Sequence, residues 1–267
     1  MFDFTRSIWK FSQEVSFHKA WEISRANYLL KRNEIKARRQ ILEWAACLTP
    51  PSEFVMRAVR QNFGGSYRYF VIPHGIELWG TERTGEEFVR KYGLKHFVLC
   101  VSAGFNYRKN QLSLIRALKG TGLPLVIVAT ARTKGEERYF RKCQRTADST
   151  TIFLSRLPQN MLESAYKAAR VFALPSFFEA FGLVYFEAAG AGCNVVATSA
   201  SPVKEILGNL AWYCDPFNID SIRSAVLEAY NASRRKELQG HVLQNFTWER
   251  AAQLTLEVYR KVLNGKI

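Results

Sequence analysis

Hydrophobic positions follow two different patterns along the chain, one before and one after about residue 97. In the later part, short β-rich runs alternate with stretches whose apolar positions recur at helical spacing. This alternation predicts an α/β domain with a parallel, doubly wound sheet, whose ligands bind at the carboxyl ends of the strands. The predicted strands cover residues 97–102, 125–130, 151–154, 171–174, 194–198 and 211–214, and the predicted helices cover 111–118, 135–147, 160–169, 182–191 and 202–207.

The first 80 residues have a different pattern. Residues 5–44 carry apolar positions at helical spacing and are predicted to be largely helical. A short strand over 45–49, a helix that begins at Ser52 and a second strand over 69–73 are predicted to follow. A last helix is predicted to run from residue 247 to residue 263.

Composition describes an ordinary globular protein rather than a membrane or disulfide-stabilised one. The 267 residues are 48% hydrophobic and 23% charged, enough for one large core or two modest ones. We expect no membrane span or signal peptide, because no apolar run reaches roughly 18 residues and charges interrupt the N-terminus. The five cysteines are scattered and never form a Cys-x-x-Cys pair, which favours a reducing, cytoplasmic compartment over a disulfide framework or a zinc site.

The net charge of +15 restricts the partners of the protein more than its fold. Such a surface attracts anionic lipid, nucleic acid or a phosphorylated acceptor. Nucleic acid is disfavoured because the basic residues are spread along the chain and no nucleic-acid-reading motif is present. Residues 5–44, with nine basic and four acidic residues among several aromatics, suit a helix lying peripherally on an anionic membrane. Equally, these aromatics can pack against a sheet of the protein.

Two carboxylates carry the first candidate chemistry. Glu179 lies in a predicted loop after a strand, and Glu187 lies in the next helix among apolar and small residues. A lone acid there is costly to bury unless a polar group meets it. The helix start around Gly182 offers unpaired backbone N–H groups, which suit phosphate. Hydroxyl-seeking carboxylates beside such a helix start indicate a nucleotide-sugar site, although spacing alone also fits two unrelated glutamates.

A second candidate segment, residues 102–110, joins a predicted strand to the next helix and contains Arg108 and Lys109. Both side chains supply charge-assisted donors that suit a diphosphate at the mouth of a strand. The alternative is a solvated pair on a basic surface.

Other chemistries find little support. The four aspartates form no Asp-x-Asp pair, and the four histidines have no metal-ligand spacing, so we expect no metal site. The chain also lacks a Gly-x-Ser-x-Gly elbow and a Gly-x-Gly-x-x-Gly turn after a strand.

The string from Pro175 to Thr198 resembles the Glu-x7-Glu motif of the GT-B retaining glycosyltransferases of the family 4 type, also called group 1. That motif reads E-G-F-G-L-x-x-x-E-A-M-A-x-G-x-P-V-V-A; here Ala180 replaces the first glycine and Asn194 the proline. The resemblance implies a GT-B-like fold with a Rossmann-type C-terminal domain. It implies three parts: a partial, helix-rich, acceptor-side domain (1–80), a nucleotide-sugar-binding domain (81–246) and a terminal helix crossing back to the first domain (247–267).

The resemblance also implies roles for individual residues. Glu179 would bind the transferred sugar and Glu187 the ribose hydroxyls, while Lys109 would bind the donor diphosphate and count with Glu179 as catalytic. The family arginine falls at Gly104, and Arg108 is the candidate to replace it. The remaining donor-binding candidates are the amides of Phe181, Gly182 and Leu183 and, near the nucleobase, Arg156 and Leu157.

The implied activity is metal-independent transfer of a hexose from a nucleotide-diphosphate sugar to an acceptor hydroxyl, with retention of the anomeric configuration. The sugar nucleotide is a co-substrate, and no cofactor is expected. The implied acceptor is lipid-linked or a polysaccharide. The alternative is a non-catalytic nucleotide-sugar-binding or membrane-associated subunit that works with a partner chain or a second copy of itself.

Overall fold

A computed structural model describes residues 35–77, 84–199 and 201–265 of the chain. The greater part of the predicted N-terminal helical segment, and the predicted domain boundary between residues 80 and 81, lie outside the described residues. The described chain opens with helical residues 35–44.

Six parallel strands form one sheet in the order β3-β2-β1-β4-β5-β6. The predicted parallel α/β fold is therefore confirmed. The strands start and end within two residues of the predicted positions, and those at the centre of the sheet are fully buried, as the apolar runs indicated. Their bounds are β1 Val98–Val101, β2 Leu125–Val128, β3 Thr151–Leu154, β4 Val171–Leu174, β5 Asn194–Thr198 and β6 Trp212–Cys214.

Ten α-helices are bounded within the described residues, and most of them cover the two faces of this sheet. The pattern predicted seven of them and missed α2, α8 and α9. Their bounds are α1 Glu53–Phe63, α2 Glu86–Tyr92, α3 Gln111–Leu118, α4 Lys134–Thr146, α5 Gln159–Ala168, α6 Leu183–Gly190, α7 Pro202–Leu207, α8 Ile219–Asn231, α9 Lys236–Asn245 and α10 Trp248–Leu263.

Side-chain caps explain where several helices begin. The hydroxyls of Ser52, Thr133 and Thr247 each accept a hydrogen bond from a backbone amide in the first turn of α1, α4 and α10, and Asn218 does the same for α8. Each cap satisfies N–H groups that have no partner inside the helix.

The region before α2 differs from its prediction. The strands expected over 45–49 and 69–73 are absent, and a single parallel bridge joins Leu48 to Tyr69 instead. Backbone hydrogen bonds accompany it, including Ile72 N–H to the carbonyl of Pro50. The ladder stays short because prolines at 50, 51 and 73 cannot donate a backbone hydrogen bond.

Contacts with α7 and α10 help to attach this region to the rest of the molecule. Glu205 of α7 accepts hydrogen bonds from the amide of Glu53 and from the guanidinium of Arg57, both at 2.8 Å. Ile76 bridges to Thr247 at the start of α10, where a Cβ on Gly75 would lie only 2.4 Å from the amide nitrogen of Trp248. Glycine is therefore required at residue 75 for the close approach of α10.

Candidate functional site

The candidate site lies where the strand order of the sheet reverses. β1 and β4 are neighbours at the centre of the sheet, while the strands that follow each of them in the chain lie on opposite sides. A crevice forms between the loops that leave two such strands, and ligands of doubly wound sheets bind there. Lys109 follows β1 and Glu179 follows β4, so both occupy this edge of the sheet.

The loop after β1 is held in a defined conformation. The side chain of Asn106 accepts a hydrogen bond from the Lys109 amide and caps a short 3₁₀ turn, Tyr107–Lys109. Asn110 then adopts a left-handed conformation with φ of 56°. Its buried side-chain amide donates to the carbonyls of Pro175 and Pro216, at 3.0 and 2.8 Å. One asparagine thus ties together the loops after β1, β4 and β6.

The structure joins Lys109 and Glu179 in a buried ion pair. The ammonium nitrogen of Lys109 lies 2.7 Å from Oε1 of Glu179, and the two side chains are only 12% and 6% exposed. Arg108 lies farther away: its guanidinium is 3.7 Å from Oε2 of Glu179, donates to the Phe178 carbonyl at 3.2 Å, and is half exposed. A carboxylate so buried needs a cationic partner, and Lys109 supplies it.

Aromatic rings support the same loops. The ring of Phe177 stacks on Tyr107, with centroids 5.0 Å apart, and contacts Phe217 at 4.7 Å. The amide of Phe177 also donates to the carbonyl of Arg108. These contacts hold the loop after β4 against the loop after β1. The distance between Lys109 and Glu179 depends on this arrangement of the two loops.

The start of α6 is a tight turn that only glycine fits. Gly182 has φ of 84°, and a Cβ there would lie 2.6 Å from the ring of Tyr185. That ring is buried, and its hydroxyl donates to the Leu174 carbonyl at 2.5 Å, so the ring cannot readily move away. Beside the turn, buried Phe181 stacks on Phe186 at 4.7 Å and meets His74 edge-on at 5.0 Å. The amides from Phe181 to Leu183, for which the described residues provide no hydrogen-bond acceptor, are therefore held in one orientation.

Glu187 projects from α6 into a half-buried position. The hydroxyl of Tyr166 donates a hydrogen bond to its Oε2 at 3.0 Å. Burial raises the pKa of Glu187, the hydrogen bond from Tyr166 acts in the opposite direction, and the charge of Glu77 raises the pKa further. The predicted lone acid does meet a polar group, and that group is a buried tyrosine from α5.

The family model for glycosyl transferases group 1 matches residues 85–240, more than half of the chain. The chain belongs to the group 1 glycosyl transferases. The matched residues include the strands, both candidate loops and α6, so the resemblance seen in the motif extends over the whole sheet.

Curated relatives of this group 1 glycosyl transferase match over shorter stretches. The O-antigen chain mannosyltransferase B of Escherichia coli is 30% identical over 119 residues, which are 43% of this chain and 31% of that protein. The D-inositol 3-phosphate glycosyltransferase of Paenarthrobacter aurescens is 32% identical over 110 residues, 39% of this chain and 27% of that protein. The matches thus span about a third or less of these relatives.

Solved structures resemble this group 1 glycosyl transferase in fold. Sucrose-phosphate synthase from Thermosynechococcus elongatus has a TM-score of 0.76 and 21% identity, covering 88% of this chain and 62% of that one. A UDP-forming trehalose-phosphate synthase from Burkholderia xenovorans has a TM-score of 0.62 and 15% identity, covering 82% of this chain and 62% of that one.

Two predicted nucleobase contacts lie apart from the ion pair in this group 1 glycosyl transferase. Arg156 and Leu157 follow β3, the edge strand, which β2 separates from β1. Arg156 is exposed, whereas Leu157 packs partly against the core. Their proposed contact with the base stays a prediction. At the missing arginine, a Cβ on Gly104 would lie 2.6 Å from Oε1 of Glu136, so an arginine would first have to displace that side chain.

Three features of the site were not predicted from the sequence. They are the direct pairing of Lys109 with Glu179, the bond from Tyr166 to Glu187, and the contact of His74 with Phe181. The first joins residues 70 positions apart, and no local pattern signals it. The sequence did contain one signal for the shape of the loop that carries Lys109. The asparagine after Lys109, Asn110, suits a left-handed turn.

Proposed function

We propose that this chain binds a nucleotide-diphosphate sugar at the edge where β1 and β4 end, and transfers its hexose to an acceptor hydroxyl with retention and without a metal ion. The observation that carries the proposal is the buried pair of Lys109 and Glu179, at 2.7 Å, beside the unpaired amides at the start of α6. A cation, a carboxylate and a helix start together match a sugar joined to a diphosphate.

Lys109 and the start of α6 take the role of the phosphate site in this proposal. The leaving diphosphate gains negative charge in the transition state, and donors already in place lower that barrier most. The Lys109 ammonium and the half-exposed Arg108 guanidinium supply positive charge, and the amides from Phe181 to Leu183 supply N–H donors. Together they can stabilise the diphosphate in place of a metal ion. A leaving phosphate oxygen takes the proton of the acceptor hydroxyl in this proposal, so no protein side chain acts as the base. Glu179 is therefore free to bind the transferred sugar.

Glu187 is proposed to accept hydrogen bonds from the ribose hydroxyls. Tyr166 already donates to one of its carboxylate oxygens. This bond orients the carboxylate, and its charged form is the better acceptor for ribose. A hexose is proposed as the transferred sugar because the relative from Escherichia coli is named a mannosyltransferase.

A second function has one observation in its favour. In the described residues 35–77, which belong to the proposed acceptor side, a single-residue bridge between Leu48 and Tyr69 takes the place of the two predicted strands. A subunit that binds the donor but depends on a partner chain, a second copy or a membrane for the acceptor would need no more than this. In the described parts of the chain, no helix is long and apolar enough to cross a membrane.

Ligand-dependent stability tests the primary proposal. The full chain is heated with UDP-, GDP- and ADP-hexoses and with the corresponding nucleosides. A bound donor at a hundred times its dissociation constant adds about 2.7 kcal/mol to the free energy of unfolding. Stabilisation by none of the sugar nucleotides contradicts donor binding. Stabilisation without release of nucleoside diphosphate, when lipid-linked and polysaccharide acceptors are added, favours the donor-binding subunit.

A further inference from the structure

Helix α4, Lys134–Thr146, has a continuous basic face. At 100° per residue, its five lysines and arginines fall within an arc of about 100°, and they extend over about 17 Å of the helix. We name this set the α4 basic face: Lys134, Arg138, Arg141, Lys142 and Arg145.

All five side chains are exposed, and within the described residues none of them makes an ion pair or a side-chain hydrogen bond. Two acids lie on the same helix but outside the arc. Glu136 accepts a hydrogen bond from the Arg132 amide, and Glu137 is exposed on one flank. Among the described residues, therefore, no acidic side chain pairs with the α4 basic face.

The opposite side of α4 is anchored to the core. Cys143 is fully buried, and the ring of Phe140 packs on Phe105 with centroids 4.5 Å apart. The hydroxyl of Tyr139 accepts a hydrogen bond from the amide of Leu112. These contacts fix the rotation of the helix, so the five basic side chains lie together on its exposed side.

We propose that the α4 basic face docks the protein on an anionic lipid bilayer. A convex row of cations cannot enclose a small anion, but it can meet many headgroups of a flat surface at once. Each basic residue near such a surface contributes about fivefold to binding, and the contribution is screened by salt. The residues of this face lie outside the segment 5–44 in the sequence, and its use does not depend on the transferase activity.

A bilayer fits this face better than a nucleic acid does. The aromatic rings of α4 belong to Tyr139 and Phe140, and both are turned to the core, so the basic face offers no ring on which bases can stack. One end of α4 also lies next to the candidate site, because Glu136 abuts Gly104 in the loop after β1. Docking through α4 would bring that edge of the sheet close to the lipid surface.

The test is co-sedimentation of the full chain with phosphatidylcholine vesicles, with and without phosphatidylglycerol, at low and high salt. The test variant replaces three arginines of α4 by glutamine, which has a similar helix propensity. The matched control removes the same number of charges from exposed positions on α2, α9 and α10. The test variant carries Arg138→Gln, Arg141→Gln and Arg145→Gln, and the control carries Arg90→Gln, Lys236→Gln and Arg260→Gln.

We expect the wild type and the control to bind phosphatidylglycerol vesicles at low salt. The test variant should bind them on the order of a hundredfold more weakly, with an unchanged melting temperature. An equal loss in the control would mean that net charge alone drives binding. Unchanged binding by the test variant would assign attachment to another surface such as residues 5–44. Each of these two results overturns the proposal. So does a wild type that binds no vesicles, or one that prefers an RNA duplex at equal salt.

Discussion

Glu179 and Glu187 belong to one short segment, yet the loop and the helix that carry them place these acids in different surroundings. In the loop, the side chain of Glu179 is 6% exposed and meets the Lys109 ammonium at 2.7 Å. In α6, Glu187 is half-buried and accepts a hydrogen bond from the neutral hydroxyl of Tyr166. Burial raises the pKa of Glu187. The Glu-x7-Glu spacing supplies two acids, whereas partners from distant parts of the chain decide what each acid can do.

Removing the cation from the loop should have the largest effect. Lys109→Met keeps the apolar stem but leaves Glu179 buried without its closest counter-charge. Breaking a buried pair from one side costs about 3 kcal/mol or somewhat more, and we expect a loss of that size in the free energy of unfolding from urea denaturation. Binding of a nucleoside diphosphate should also weaken far more than binding of the nucleoside, because the lysine faces phosphate in the proposed site.

Arg108 offers a matched control for this prediction. It is the neighbouring residue and also faces Glu179, but at 3.7 Å and half exposed. Arg108→Gln should therefore change the free energy of unfolding by less than about 1 kcal/mol. Equal destabilisation by the two variants would mean that the ion pair of Lys109 holds Glu179 no more strongly than a surface contact does.

The same contrast separates what the sequence could predict from what it could not. All six strands and most helices followed from apolar periodicity, because a buried parallel sheet needs continuous apolar runs. The two helices missed near the end, α8 and α9, flank residues 232–235, and no strand separates them to mark their limits. The motif located Glu179 and Glu187 because it is local in the chain.

Long-range partners were beyond reach for a physical reason. Tyr166 in α5 carries no polar pattern that distinguishes it from any other core tyrosine, yet it sets the environment of Glu187. The two strands predicted before α2 were wrong for a different reason: here a local pattern was present, but the long-range pairing was not. Their residues have strand-like composition, but pairing depends on a neighbouring ladder, and prolines at 50, 51 and 73 interrupt it.

Gly182 joins the loop to the helix, and its replacement should disturb both acids together. Gly182→Ala places a side chain at φ of 84° and within 2.6 Å of the buried Tyr185 ring. We expect a loss of about 2–3 kcal/mol in the free energy of unfolding, from left-handed backbone strain and from crowding. Gly208→Ala is a suitable control, since it also has positive φ but no atom within 4 Å of the added Cβ. Equal losses would show that backbone strain alone is responsible.

Glu187→Gln probes the helix side of the comparison without disturbing the loop. The amide oxygen can still accept from Tyr166, so stability should change little. Losing the charged acceptor should weaken nucleoside and nucleotide binding alike by about 1.5–3 kcal/mol, measured by calorimetry. An affinity equal to that of the wild type would remove the ribose assignment, and a loss confined to the diphosphate would move Glu187 to the phosphate site.

The smallest effect is expected in the pH dependence of stability. Because burial raises the pKa of Glu187 above its usual 4.5, the folded state binds this proton more tightly than the unfolded state does. Protonated Glu187 therefore makes its full contribution to the free energy of unfolding at pH values below about 4.5. It is lost as pH rises from about 4.5 through the raised pKa, by about 1.4 kcal/mol for each unit of the shift.

Subtracting the Glu187→Gln curve from the wild-type curve isolates this contribution, since Tyr166 and Glu77 are present in both proteins. The free energy of unfolding of the wild type, relative to the variant, should fall with rising pH over that window and then level off. Over the same window, nucleoside affinity of the wild type should increase, because the carboxylate form accepts the ribose hydroxyls. A difference curve that rises with pH would mean that Glu187 is stabilised as a carboxylate in the folded protein, and a flat curve would mean that folding leaves the pKa of Glu187 unchanged.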